Sequence, residues 1–257
     1  MHEVVRRARE AGCKGAVLDV DGTMCLHNFA KSIGYGVLKR EASYGNVSNV
    51  FQGLYGVAKV KVSALKNGGE EDARSLKISF QAMGKTRCVT RKLAYRLAED
   101  HRRRREIEGI GEIIRDIRSN LGPCFASSLG CNIGADVVME AYNLDGRVSN
   151  PMVYEVGSVP FVESPFAYRD EPVPEVLNDN SIIIGCDVQM KGPRDKKEFT
   201  QKLLKRNNLD LRDMLAIVDK HSIDSDIIDA CLFPASSPDA DEKTQNDVQY
   251  IIKSYVC

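Results

Sequence analysis

The sequence predicts an α/β protein: a doubly wound, Rossmann-like, mostly parallel sheet core with an inserted, mostly helical lobe. Three observations predict it. Two short apolar runs, Gly15 to Val20 (GAVLDV) and Met214 to Val218 (MLAIV followed by Asp219), each carry an aspartate at or beside the carboxyl end, as a buried parallel strand with chemistry at its tip does. Helix-like segments precede both, the second being Lys196 to Leu209 with Phe199, Leu203 and Leu204 at helical spacing. Residues 28 to 108 then interrupt the alternation with polar, basic, helix-prone sequence far longer than one crossover. Alternating strands and helices make an open sheet whose ligands gather at the carboxyl ends of the strands.

Two further strands are expected at Cys124 to Ala126, after the amphipathic Gly111 to Leu121, and at Ser181 to Gly185 within NSIIIGCD. Residues 151 to 180, rich in proline and acid, carry no readable period.

A chain of 257 residues with 43% hydrophobic composition buries a substantial core. No stretch approaches eighteen uncharged apolar residues, and arginines at 6, 7 and 9 break the amino end, so neither export nor membrane spanning is expected. Eight scattered cysteines without a C-x-x-C pair fit a reducing cytoplasm better than a disulfide framework. The net charge of zero hides an asymmetry: residues 24 to 118 hold 19 Lys+Arg against 10 Asp+Glu, and residues 119 to 257 hold 13 against 22. A basic middle suits an anionic ligand, although two solvated faces attracting one another would read the same way.

The chemistry concentrates in Asp19-Val20-Asp21-Gly22-Thr23, two carboxylates two positions apart just past a strand. Such a pair divides labour: one carboxylate attacks phosphorus, the other moves protons, and a divalent cation brings the phosphate dianion to the nucleophile. A calcium loop would need an acid or amide at 23 and glycine at 24, where Thr23 and Met24 stand.

A hydrophobic strand followed by DxDGT resembles the first motif of the haloacid dehalogenase (HAD) superfamily, and AVLDVDGT matches it throughout. The resemblance, to phosphoserine- and phosphoglycolate-phosphatase-like members with a cap after motif one, implies Asp19 as nucleophile and Asp21 as general acid/base. It implies Ser127 in PCFASSLG, with Ser128 as the alternative, as the hydroxyl that holds the phosphoryl group. It implies Lys196, ahead of Lys191 and Lys197, as the neutralising lysine, and Asp19, Asp21, Asp219 and Asp224 as ligands of Mg2+, with Asp226 close by. Val218 stands where glycine is usual in the last motif, and Lys220-His221 where small residues are common. The implied organisation is a catalytic core of residues 1–23 and 109–257 with a helical cap at 24–108. Asp145-Gly146-Arg147-Val148 is similar to the short hairpin that follows motif two in this subgroup.

The implied activity is magnesium-dependent hydrolysis of a small phosphorylated metabolite through an aspartyl-phosphate. The rival reading is a catalytically silent domain of the same fold that binds a phosphorylated ligand or partner. Sugar, glycolate, serine and nucleotide phosphates all fit the motifs, which set no oligomeric state. Gly84-Lys85-Thr86 is not a phosphate loop, since position 79 is serine, and Gly109-Ile110-Gly111 has Ile114 where a dinucleotide fingerprint needs glycine. The run DHRRRRE at 100 to 106 winds its arginines around a helix, so nucleic-acid binding is not expected. His221 reads as a surface turn residue.

Overall fold

The computed structural model describes residues 1–26, 28–66 and 73–252. Its elements run α1 (Glu3–Glu10), β1 (Gly15–Asp19), α2 (Phe29–Ser43), α3 (Val47–Lys66), α4 (Ala73–Lys85), α5 (Arg91–Arg105), α6 (Ile110–Asn120) and β2 (Cys124–Cys131). There follow α7 (Asn132–Ala141), β3 (Gly146–Asn150), β4 (Met152–Val156), β5 (Val159–Val162), β6 (Phe166–Tyr168) and β7 (Ile182–Cys186). The chain closes through α8 (Pro193–Lys205), β8 (Met214–Val218), α9 (His221–Ile228), β9 (Phe233–Ser236), α10 (Glu242–Asp247) and β10 (Tyr250–Ile251).

One sheet runs in the order β10-β9-β8-β1-β2-β3-β6, parallel throughout except for the antiparallel edge strand β6. The mostly parallel α/β core is therefore as expected. Alternation along its strands builds two apolar layers. Val17, Phe125, Ala216 and Val218 join Leu203, Leu204 and Ile227 on the face covered by α8 and α9. Ala16, Leu18, Cys124, Ala126, Leu215 and Ile217 pack on the other face with Val4 and Val5 of α1, Ile113 and Ile117 of α6, and Val138 of α7. Strands buried on both faces need continuous apolar sequence, which is why GAVLD and MLAIV carry no polar alternation before the aspartates.

Between β1 and α6 the described residues form four helices, α2 to α5, with isolated bridges but no named strand. α2 begins where Asn28 caps the amide of Lys31, and α5 where Thr90 caps Leu93. Ser32 and His101 join the two helices by a hydrogen bond of 2.7 Å, with His101 edge-on to Phe29 at 4.8 Å.

Three expectations need correction. Ser181 to Gly185 does form most of a strand, β7, but it lies in a separate antiparallel sheet of order β5-β4-β7, where it pairs with β4 rather than with a core strand. Residues 145 to 148 are not a hairpin: β3 is a core strand parallel to β2, reached through α7. The stretch 151 to 180, without a readable period, supplies β4, β5 and β6. Short strands exposed on one side, such as β5, bury too little to impose a clean pattern on the sequence.

No described helix is long and apolar enough to cross a membrane. The seven cysteines among the described residues are unpaired thiols, five of them buried.

Candidate active site

β1 ends on Asp19, whose register partner on β2 is Ser127. The chain then turns back at once, the amides of Met24 and Cys25 both donating to the carbonyl of Val20. Gly22 makes the turn possible. Its φ is +95°, and a Cβ there would stand 1.8 Å from Oδ2 of Asp219, so the bend and the approach of the next acid both require glycine.

Lys196 lies in the first turn of α8, opened by Pro193 after Gly192, and is fully buried. Its ammonium donates to Asp19 and, at 2.6 Å, to Oδ1 of Asp224 in the first turn of α9. Asp219 follows β8 directly. Oxygens of Asp19, Asp219 and Asp224 lie within 4.8 Å of one another. Burial raises all three carboxyls above their ordinary values, helped by repulsion from Asp21 on Asp19 and from Asp19 on the other two, Asp219 reaching about 9 and Asp224 about 6, with Lys196 acting in the opposite direction. One ammonium faces three acids, and Oδ2 of Asp224 is buried with no hydrogen-bond partner. An all-oxygen donor set with unbalanced negative charge and an orphaned oxygen fits a hard divalent cation such as Mg2+.

Asp21 stands apart from that group. Its Oδ1 accepts the amide of Phe29 at 3.1 Å, at the start of α2, which ties motif one to the helical segment. Burial raises its carboxyl to about 6, opposed by the Phe29 amide and by Lys196, Lys220 and Lys31. Of the four expected ligands, three are brought together; the Asp21 carboxylate is turned towards α2 instead.

The two serines divide in a way the motif alone left open. Ser127 shares a hydrogen bond of 2.7 Å with Thr200 on α8, and the Thr200 hydroxyl donates to the carbonyl of Lys196. Ser128 accepts the amide of Gly130 at 2.8 Å, and a Cβ on Gly130 would come within 2.9 Å of both Ser128 Oγ and Asp21 Oδ2. Ser127 therefore faces α8, while Ser128 borders the Asp21 side. Thr200 was missed at the sequence level, although a signal exists: Lys196, Thr200, Leu203 and Leu204 form the buried stripe of α8 at helical spacing. His221 opens α9 and is paired with Asp247 at 2.9 Å.

No protein-family model matches the chain, and no curated protein matches it. Solved structures do. A substrate-bound phosphoserine phosphatase complex aligns over 94% of both chains with a TM-score of 0.61 at 14% identity. A HAD family hydrolase from Salmonella enterica serovar Typhi aligns over 99% of this chain and 78% of its own, with a TM-score of 0.60 at 14% identity. A probable phosphoserine phosphatase from Vibrio cholerae aligns over 93% of this chain and 60% of its own, with a TM-score of 0.57 at 17% identity. The likeness is one of fold, and by it the chain has the α/β fold of phosphoserine phosphatase and HAD family hydrolases.

Proposed function

We propose that the protein is a magnesium-dependent phosphohydrolase that acts on a small phosphorylated metabolite through an aspartyl-phosphate on Asp19. One observation carries the reading: a buried carboxylate at the end of β1 is bonded to Lys196 and flanked by Asp219 and Asp224. In this reading a carboxylate oxygen of Asp19 attacks phosphorus and the ester P–O bond breaks. The leaving oxygen takes the proton of Asp21, whose carboxyl at about 6 is poised between its two forms near neutrality. Asp21, now a base, takes a proton from water as that water displaces phosphate from Asp19. Lys196 holds Asp19 in place and offsets its charge. Ser128 and the adjacent amides hold the phosphoryl oxygens, while Ser127, through Thr200, positions the start of α8. A magnesium ion held by Asp19, Asp219 and Asp224 would supply the positive charge that lets a phosphate dianion approach a carboxylate.

We assign residues 1–23 and 109–257 to a catalytic core and 24–108 to a cap that excludes water and selects the substrate. The bond from Phe29 to Asp21 supports that division, because it couples the first cap helix to the proton-transfer residue. The unpaired thiols support a reducing, cytoplasmic setting.

The test is release of phosphate from a generic aryl phosphate. Turnover that requires magnesium and stops on chelation supports the reading. A folded protein that releases no phosphate with magnesium present overturns it in favour of a silent binding domain.

A further inference from the structure

A cavity of about 500 Å³ lies where α5, α7, β3 and the segment from Glu163 to Pro174 meet. None of Asp19, Asp21, Lys196, Asp219 and Asp224 lines it. Its volume falls within the few hundred Å³ usual for small-ligand pockets.

Part of its polar lining is already satisfied. The buried Arg147 donates Nε to Asp136 at 2.6 Å and Nη1 to the carbonyls of Ser164 and Pro165 at 3.1 and 2.9 Å. The other oxygen of Asp136 accepts the Tyr95 hydroxyl at 2.6 Å. These groups form the frame.

Other groups are left over. The Arg91 guanidinium lies 4.5 Å over the Tyr95 ring and its Nε is buried without a hydrogen-bond partner; among the described residues no carboxylate stands within ion-pair distance, and Glu163 attracts it from further off. Glu163 is 8% exposed and gives one oxygen to Asn132; among the described residues nothing bonds the other. The buried hydroxyl of Tyr168, also in the lining, has no partner either. Burial, then Asp136, holds the Glu163 carboxyl above its ordinary value, and Arg91 and Arg147 oppose this. Orphaned buried polar groups are costly and rare, and a cluster of them around one cavity marks a place where a ligand supplies the missing partners. Of the lining charges without an ion pair among the described residues, Arg91 is half-buried and Glu163 buried, and the two attract one another, whereas Glu140 and Glu171 are exposed. The rest of the wall is mixed: Met139, Phe166 and Val173 give it an apolar part, beside the polar Glu140, Asn143, Arg169 and Glu171.

We propose that this cavity binds a small zwitterion of the amino-acid type, with its carboxylate on Arg91, its ammonium on Glu163 and an apolar side chain against Met139, Phe166 and Val173. Planar, two-pronged recognition of a carboxylate is what a guanidinium stacked on an aromatic ring provides. The site joins α5 to α7 and to the segment after β5, so its occupant bridges three parts of the fold.

Isothermal titration of the full chain with L-phenylalanine, N-acetyl-L-phenylalanine and L-phenylalaninamide tests the proposal without any turnover, so its outcome is separate from that of the phosphatase reading. Saturable binding of L-phenylalanine is expected, with both capped analogues weaker by about tenfold or more, the loss of one charge-assisted contact. Arg91→Gln and Glu163→Gln should each weaken L-phenylalanine by a similar factor while leaving aryl-phosphate turnover unchanged. Absence of binding at millimolar concentration, equal affinity for the N-acetyl analogue, or undiminished binding by Arg91→Gln would overturn it. Should Glu163→Gln fail to fold, the comparison of the three ligands on the unmodified protein decides the ammonium contact.

Discussion

Lys196, on the first turn of α8, bonds Asp224 on the first turn of α9 at 2.6 Å, and the same ammonium is bonded to Asp19 at the tip of β1. Three elements far apart in sequence thus converge on one buried positive charge.

Lys196→Met should expose what that charge balances. Removing one partner of a buried ion pair typically costs about 3–5 kcal/mol, so the melting temperature should fall, and millimolar magnesium should restore part of it by offsetting the three acids. Phosphate release should drop by about 100-fold or more. Thermal melts with and without magnesium, beside steady-state assays, check both; a melt that magnesium does not move would count against the ligand set.

The motif-one carboxylates should fail differently. With Asp19→Asn no phosphoenzyme should form. With Asp21→Asn a substrate with a good leaving group should still phosphorylate Asp19, after which hydrolysis stalls for want of a base. Rapid-quench mass spectrometry of the intact chain reads one added phosphoryl group or none, and a phosphoryl group on any residue other than Asp19 would reject the assignment.

The two serines should separate stability from binding. Ser127→Ala breaks the link to Thr200 and should cost about 1 kcal/mol of stability with little change in KM. Ser128→Ala should leave the melt nearly unchanged and lower kcat/KM by about tenfold or more. Denaturant titrations and initial rates on both variants distinguish this from the reverse assignment.

Acid should reveal the arginine run on α5. Glu99 bonds Arg102 and Arg103, and these contacts, that to Arg102 foremost, lower its carboxyl from 4.5 to about 2. A depressed folded value means stability that is fully present above about pH 4.5 and lost as pH falls towards 2. Glu99 is 32% exposed, so solvent screening keeps the contribution under about 1 kcal/mol. Glu99→Gln should therefore be less stable than the parent at neutral pH and equal to it near pH 2, as denaturant midpoints across that range would show.

Much of the core was legible because a strand buried on both faces needs an unbroken apolar run, and only such runs end in Asp19 and beside Asp219. Lys196 was legible from its place at a helix start one helix and one turn before Asp219, in the motif order that the resemblance implies. The second sheet was not: β4, β5 and β7 pair across gaps of a few to tens of residues, and their half-exposed faces leave no period. The choice between Ser127 and Ser128 was equally out of reach, since one residue of register decides which hydroxyl faces α8.

The sequence by itself determined the doubly wound core and the motif-one aspartates, because hydrophobic runs and tight turns are local constraints that the chain states directly. Only the tertiary structure decided that Asp19, Asp219 and Asp224 crowd within 4.8 Å, that Asp21 turns away to the amide of Phe29, and that Arg91 and Glu163 meet in a cavity lined by none of these acids. Those relations depend on how helices and strands dock, and no local pattern encodes the distance between groups that meet only after packing.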